Sequence, residues 1–303
     1  MSTTTRGYIS ITMAATLWGV AGAAAKYLFA SKAVPPFLLV QVRMGLSFLI
    51  LAAVLAVAAP QLLKVRRENL PFFAIWGVLG MAAIQYTYLL AISETNVATA
   101  IFLQYLAPIF TALYAFGFEG QKLGTRLLTC LGLAMAGSFL LIFGGTARLL
   151  VSPTGLIAGI SSAVFLSFYT IYGAKGVGKL SPWTLLCYGL GAGTLFYLLA
   201  DIVILGTGHA IPGVAMAADR SMWPFFLYIA TLATIVPFGL YLSGLRSVNP
   251  TQATITGMLE PVIGGLAAYF ALGESLRPVQ VGGGVLIVLA VILLQIKRGE
   301  AES

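Results

Sequence analysis

The sequence predicts an all-α integral membrane protein: ten transmembrane helices, laid out as two inverted five-helix repeats around a central cavity. Three observations carry that prediction. Apolar residues fill 59% of the 303 positions and charged residues 9%, with a mean hydropathy of +0.97; a soluble domain carries about 25% charged residues. Ten runs reach the roughly 20 apolar residues needed to span a bilayer, at 8–29, 36–58, 71–92, 96–116, 125–144, 154–174, 182–205, 222–244, 251–271 and 278–296. A shift of 153 positions also places Tyr88, Leu89, Asn96, Ala100, Leu106, Pro108 and Ala115 on Tyr241, Leu242, Asn249, Ala253, Leu259, Pro261 and Ala268 without a gap.

The duplication divides the chain into repeats at 1–148 and 149–303. Five spans per half is an odd number, so the second copy enters the membrane from the opposite side. The net charge of +8 first suggests a nucleic-acid partner, but its distribution excludes one. With the N-terminus inside, Arg6, Lys64, Arg66, Arg67, Lys122, Arg126, Lys175, Lys179, Arg246, Lys297 and Arg298 fall at cytoplasmic ends. Only Lys32, Arg148, Arg220 and Arg277 fall opposite. Such a bias predicts a multi-pass protein of the plasma (inner) membrane with both termini cytoplasmic. Segment 1 is too long for a signal-peptide core and is followed by nine more spans, so it reads as a mature helix. Cys130 and Cys187 fall inside spans as packing thiols, and His209 falls in an external loop. Neither a disulfide framework, a metal site nor a cofactor is expected. The expected partners are membrane lipid and a small-molecule substrate.

Taken in order, segment 1 sets Trp18, Gly22 and Lys26 four residues apart on one face. Lys26 either snorkels to the outer end or carries a charge inside; Trp18 lies deeper, where an indole N–H wants a partner. Arg43 in segment 2 must face protein, water or a carboxylate instead of lipid. A structural salt bridge or backbone clamp is its first reading, a substrate contact the second. Segment 3 groups Gln85, Tyr86 and Tyr88; segment 4 starts at Asn96 and adds Gln104 and Tyr105 ahead of Pro108. Segments 5 and 10 carry Gly132, Ala136, Gly137 and Gly282, Gly283, Gly284, which suit close helix packing. That glycine run follows no strand, so a nucleotide loop is a poor reading.

Segment 6 aligns Phe165, Tyr169 and Tyr172 with Phe168 beside them, and segment 7 has packing glycines. Segment 8 spaces Thr231, Thr234, Phe238 and Tyr241 along one face, with Pro237 as a kink. Segment 9 opens on the Asn249-Pro250 cap. Gln252, Thr256 and Glu260 then follow at four-residue steps as one polar stripe ending in a carboxylate next to Pro261.

The passages Asn96–Glu119 and Asn249–Glu274 resemble the EamA family of the drug/metabolite transporter superfamily. The resemblance lies in the polar-aromatic third helix of each half ending in Ala-Ile or Gly-Leu and in mid-helix Pro108 and Pro261. Leu-Glu-Pro-Val at 259–262, the acidic turns at Glu119 and Glu274, and Trp18-Gly19 complete it. It implies a ten-helix transporter whose cavity is lined by segments 1, 3, 4, 6, 8 and 9. Segments 5 and 10 would support it or join a weak homodimer. As a whole the chain further resembles the YddG-type exporters of aromatic amino acids. The first half departs from the second in having Ala107 where the second has Glu260.

The residues and the resemblance together suggest a secondary-active or facilitative transporter, not an enzyme, exporting amino acids with aromatic or large apolar side chains by alternating access. Trp18, Tyr88, Tyr105, Phe165, Tyr169, Tyr172 and Tyr241 are the candidate stacking surfaces. Gln85, Gln104, Thr234, Thr256 and Glu260 are the candidates for the substrate's polar end. Pro108, Pro237 and Pro261 interrupt helical bonding and free carbonyls toward a cavity. Glu260 has two open readings: it takes a proton or a substrate ammonium, or it holds a bent helix through backbone or Arg43. A multidrug or cationic-toxin exporter is the alternative within transport, and a passive channel lies beside it. An intramembrane enzyme would need a dyad or metal cluster, which Glu260, His209 and two scattered cysteines do not supply.

Overall fold

The computed structural model describes residues 2–32, 36–145, 152–209, 219–273 and 275–296, and the side chains of these apart from 22–32, 36 and 272. Gly22, Lys26 and Lys32 therefore lie outside the described side chains, and Arg148, Glu274, Lys297 and Arg298 outside the described residues. Helices account for nearly all regular structure. We number them α1 (Thr3–Lys32), α2 (Pro36–Ala58), α3 (Leu70–Gly77), α4 (Ala83–Glu94), α5 (Val97–Gln104), α6 (Ala107–Glu119), α7 (Thr125–Phe143), α8 (Pro153–Val177) and α9 (Pro182–Gly206). The series continues with α10 (Trp223–Ala230), α11 (Val236–Gly244), α12 (Pro250–Gly257), α13 (Glu260–Leu272) and α14 (Pro278–Gln295).

Several short helices join end to end, so nine helical stretches among the described residues are long and apolar enough to cross a membrane. Thirty-residue α1 stands beside them. The starts and stops have local causes. Asn96 and Asn249 each accept the backbone N–H three residues on, at 2.8 Å, and Ser152 caps α8 through Gly155 at 2.9 Å. α6 and α13 end at Gly120 and Gly273, whose φ values of 65° and 68° suit only glycine without strain. Large apolar side chains face outward, as at Val57, Phe118 and Phe270, 80–88% exposed; only a lipid surround makes that placement cheap.

The 153-residue offset persists in the backbone. Leu70 and Trp223 open matching helices, and Val78 and Thr231 open matching π-turns at Val78–Ala82 and Thr231–Ile235. Ala107 and Glu260 open the second parts of two matching broken helices. The π-turns carry no propensity signature and were not expected from the apolar runs, which read as plain helix.

Packing interlaces the halves. α1 packs on α11, α12 and α13 of the other half, while α8 packs on α4, α5 and α6. Likewise α2 lies against α10, α3 against α9, and α2 against α9. Few elements of one half are completed without the other.

α7 and α14 form the most extensive pair. A Cβ on Gly137 would sit 2.6 Å from the Gly283 carbonyl, and one on Gly283 would sit 2.6 Å from the Gly137 carbonyl. Gly132, one turn away, has open space around its Cβ position. We expect Gly137→Ala and Gly283→Ala to destabilise by about 1–3 kcal/mol through overpacking. Gly132→Ala should be neutral or mildly stabilising. Thermal unfolding midpoints of the purified protein in detergent measure the difference, and equal behaviour of all three would refute the close-packed seam.

Candidate functional site

Two helix interruptions per half determine where polar groups lie. At the first type, a π-turn bonds each amide to the fifth carbonyl back, as Ala83 N–H does to Val78 O and Val236 N–H to Thr231 O. Pro237 follows the second π-turn at the start of α11 and has no amide to give Ala233 O. Arg43 supplies the missing donor: its Nη2 donates to Ala233 O at 3.1 Å and its Nε to Thr234 Oγ1 at 2.8 Å. Thr234 in turn donates to Ile229 O at 2.8 Å, and Ser47, one turn from Arg43, donates to Ala230 O at 3.0 Å. The guanidinium lies 5.5 Å from the centre of the Phe238 ring. At the π-turn of the first half, Ala82 O accepts from Tyr197 Oη of α9 at 2.9 Å.

The second type is a tight turn between paired short helices. Leu106 N–H reaches Leu103 O and Leu259 N–H reaches Thr256 O, each at 3.1 Å and three residues back. Pro108 and Pro261 stand in the first turns of α6 and α13. They therefore open new helices beyond each turn. Glu260 is the first residue of α13, where the helix dipole favours a carboxylate. Tyr105, on the matching turn of the other half, stands near enough for its hydroxyl to act on the carboxylate. Glu260 is half-buried and Tyr105 buried.

A chain of rings fills the space beside these turns. Trp18 meets Phe238 at 4.9 Å and Tyr241 at 5.5 Å. Tyr169 lies 5.7 Å from Phe238 and 6.2 Å from Tyr241, and stacks on Trp76 at 5.0 Å. The Trp18 indole N–H and the Tyr169 hydroxyl are buried and find no hydrogen-bond partner among the described residues. Tyr241 shares a 3.2 Å hydrogen bond with Thr170. Gly19 explains how α1 comes so close: a Cβ there would lie 2.6 Å from Glu260 O and 2.8 Å from Gly264 N.

Of the residues singled out in the sequence, the structure brings together Trp18, Tyr169, Tyr241, Thr234 and Arg43. Glu260 joins Tyr105, with Tyr88 and Arg43 within electrostatic reach. Gln85, Gln104 and Phe165 are half-buried on α4, α5 and α8. Tyr172 is placed elsewhere: it stacks on Phe168 at 4.6 Å and Phe72 at 5.3 Å, with Lys175 above it. Thr256 is fully buried and donates to Gln252 O at 2.8 Å, while Gln252 accepts from Tyr8 at 2.9 Å. The turn at Met258–Leu259 breaks the helix, so Gln252, Thr256 and Glu260 do not share a continuous face. Tyr86, 53% exposed, points away. Grooves of about 360 and 270 Å³ open elsewhere, along α14 against α1 and α7; Leu259 lines the first and Arg126 and Cys130 the second, and none of the candidate substrate-binding residues lines either. Cys130 and Cys187 are buried and free.

Sequence reading missed Trp76, Phe238's bridging position, and Asp201, which accepts from Gln41 Nε2 at 2.6 Å. Trp76 donates to Tyr169 O at 3.0 Å, yet in sequence it is one more aromatic in an apolar run.

Apolar helices exposed to lipid, with polar side chains gathered where those helices break, define a multi-pass membrane protein. It belongs to the EamA-like transporter family, whose model matches residues 5–143 and 153–296. A relative from Salmonella typhimurium, an uncharacterized inner membrane transporter, is 29% identical over 98% of this chain and 97% of its own length. A probable terminal-alkyne amino-acid exporter of Streptantibioticus cattleyicolor is 28% identical over 83% of this chain and 82% of its own. A probable amino-acid metabolite efflux pump of Salmonella typhimurium is 26% identical over 84% and 83%. One crystal structure superposes with a TM-score of 0.77 over 97% of this chain and 96% of the other at 19% identity, which speaks to the fold. The family and the relatives' names indicate a transporter, and nothing in them indicates an enzyme.

Thr234 is the joint between Arg43 and the π-turn. Thr234→Val keeps its shape and removes the hydroxyl, so Arg43 loses one partner and Ile229 O another. We expect a stability loss of about 1–3 kcal/mol, read as a lowered thermal midpoint in detergent. An unchanged midpoint would remove Thr234 from this role.

Proposed function

We propose that this protein is a secondary-active or facilitative exporter of amino acids with aromatic or large apolar side chains, working by alternating access. Its ten helices are two inverted repeats whose shared centre opens to one side and then the other. Both termini are cytoplasmic, the membrane is the plasma (inner) membrane, and the chain acts as a monomer or weak homodimer. The observation that carries the reading is the central cluster: a carboxylate on a helix break, beside two rings, Trp18 and Tyr169, whose N–H and O–H groups find no hydrogen-bond partner among the described residues. A buried donor without an acceptor is costly, and a bound substrate with oxygens relieves that cost. The rings offer the faces on which an aromatic or branched side chain packs.

Interlacing supports the mechanism. Because α1 is seated on α11–α13 and α8 on α4–α6, closing one side of the centre strains contacts in both halves together. Several side-chain bonds between the halves lie toward the end of the bundle that holds the N-terminus. They include Tyr8–Gln252 at 2.9 Å, Ser247–Thr3 at 3.1 Å and Thr111–Thr254 at 3.0 Å. These bonds separate when that end opens.

Reconstituted protein tests the reading. Labelled phenylalanine or leucine should exchange across proteoliposomes in counterflow, and flat organic cations should compete poorly. Transport of the cations with no amino-acid exchange would establish the multidrug alternative instead. Glu260→Gln should lower amino-acid exchange by at least about tenfold, the loss expected of a charge-assisted contact; unchanged exchange would exclude the carboxylate from transport. Imposing a proton gradient on the same vesicles separates coupled from facilitative export.

A further inference from the structure

We propose that the central site takes its substrate as a zwitterion, Glu260 receiving the ammonium and the Arg43 guanidinium receiving the carboxylate. The inference rests on the amino-acid reading above and adds the assignment of the two charged ends.

Arg43 is held and yet not used up. A guanidinium has five N–H donors. The Nε donor goes to Thr234 and one Nη2 donor to Ala233 O, which leaves three N–H groups beyond these bonds. Glu260 is in the same position. An ionised carboxylate offers about four acceptor sites, and the Tyr105 hydroxyl lies near one side of it. Arg43 is anchored by its own neighbours, Glu260 by its place at the start of α13, and both keep recognition capacity to spare.

The two are brought near and kept apart. Arg43 sits over the Phe238 ring, Phe238 meets Trp18 at 4.9 Å, and the adjacent Gly19 lies against the Glu260 backbone. Arg43, Tyr88 and Glu260 lie within each other's electrostatic reach. Among the described residues, however, the only ion pair closer than 4.0 Å is Arg66–Glu68 at 3.9 Å. Opposite charges in a poorly polarisable interior attract strongly, and side chains as long as these close such a gap unless other bonds hold them. Thr234 and Ala233 O hold Arg43 back from Glu260. An α-amino acid carries its two charges one carbon apart and completes both partners at once. An amine alone leaves Arg43 without an anion and sets a second cation beside it. A carboxylate alone does the same to Glu260. Selection against both is built from repulsion as much as attraction. The charges also come from opposite halves, so the ligand has one orientation.

The test is a matched series on the intact protein in detergent: L-phenylalanine, 2-phenylethylamine and 3-phenylpropionate, with L-leucine, 3-methylbutylamine and 4-methylpentanoate as the aliphatic set. Binding is read by ligand-dependent thermal stabilisation and by competition against labelled amino acid. Either amino acid should bind at least about tenfold tighter than its amine and its acid. Arg43→Gln should erase the preference for amino acid over amine and keep the preference over acid; Glu260→Gln should do the reverse. Arg43→Lys should restore part of the first preference, which a merely structural arginine would not do. The unmodified protein gives an answer even if a variant fails to fold. Amino acid and amine binding equally well would overturn the charge assignment while leaving amino-acid export standing. Binding of none of the amino acids would overturn the export reading and this one together.

Discussion

A helix in lipid has no water to satisfy a peptide group that its own bonding pattern abandons. Among the described residues this bundle nevertheless interrupts its helices at two π-turns and two proline-marked turns, one of each per half. The carbonyls affected must be met by side chains from neighbouring helices, and that demand places polar groups in the interior. Arg43 and Ser47 stand one turn apart on α2 because Ala233 and Ala230 carbonyls need donors there. Tyr197 on α9 answers Ala82. A charge in the middle of a membrane helix costs about 2.5–3.5 kcal/mol even by the mildest scale, so Arg43 persists by being bonded on arrival. Polar side chains that serve the backbone first are rigidly oriented, and the proposed substrate would meet them without a separate ordering cost.

The same breaks bring the halves into each other. A continuous helix would carry Glu260 one turn beyond Thr256 on the same face. The turn at Met258–Leu259 instead starts a new helix, with Glu260 facing Tyr105 at the equivalent turn of the first half. α1 can approach that turn because Gly19 lacks a side chain where the Glu260 carbonyl passes. The Trp-Gly pair thus has two separate causes: the indole joins the ring cluster, and the glycine admits the helix that carries it.

Much of this was legible in the chain. Hydropathy located the spans, the 153-residue offset located equivalent breaks, and Asn96 and Asn249 announced helix starts that their side chains do cap. What stayed hidden depends on partners distant in sequence or on backbone geometry without a residue code. Nothing in Val78–Ala82 or Thr231–Ile235 distinguishes a π-turn from an α-helix. The Gln252–Thr256–Glu260 stripe was drawn with a period that the proline turn breaks. Tyr172 shared a helical face with Tyr169, but three residues along α8 carry it to Phe72 and Lys175 instead. For Arg43 the sequence offers a salt bridge or backbone clamp first and a substrate contact second, and the bond to Ala233 O is of the clamp kind. What sequence could not supply was the carbonyl's position, since that follows from Pro237 on another helix.

Duplication by itself makes a symmetric scaffold, and a symmetric centre would hold a ligand equally well in two orientations. Here the chemistry departs from the repeat at the decisive places. Ala107 stands where the second half has Glu260, and Met81 where it has Thr234, the residue that receives Arg43. The backbone keeps the equivalence, as the paired turns and caps demonstrate, while the charged groups abandon it. The two requirements do not conflict because they act on different parts of the molecule. The exchange of roles proposed above would depend on breaks and packing, which both halves retain. Orientation of the proposed substrate would depend on a few side chains, which each copy is free to vary once the breaks have fixed their positions.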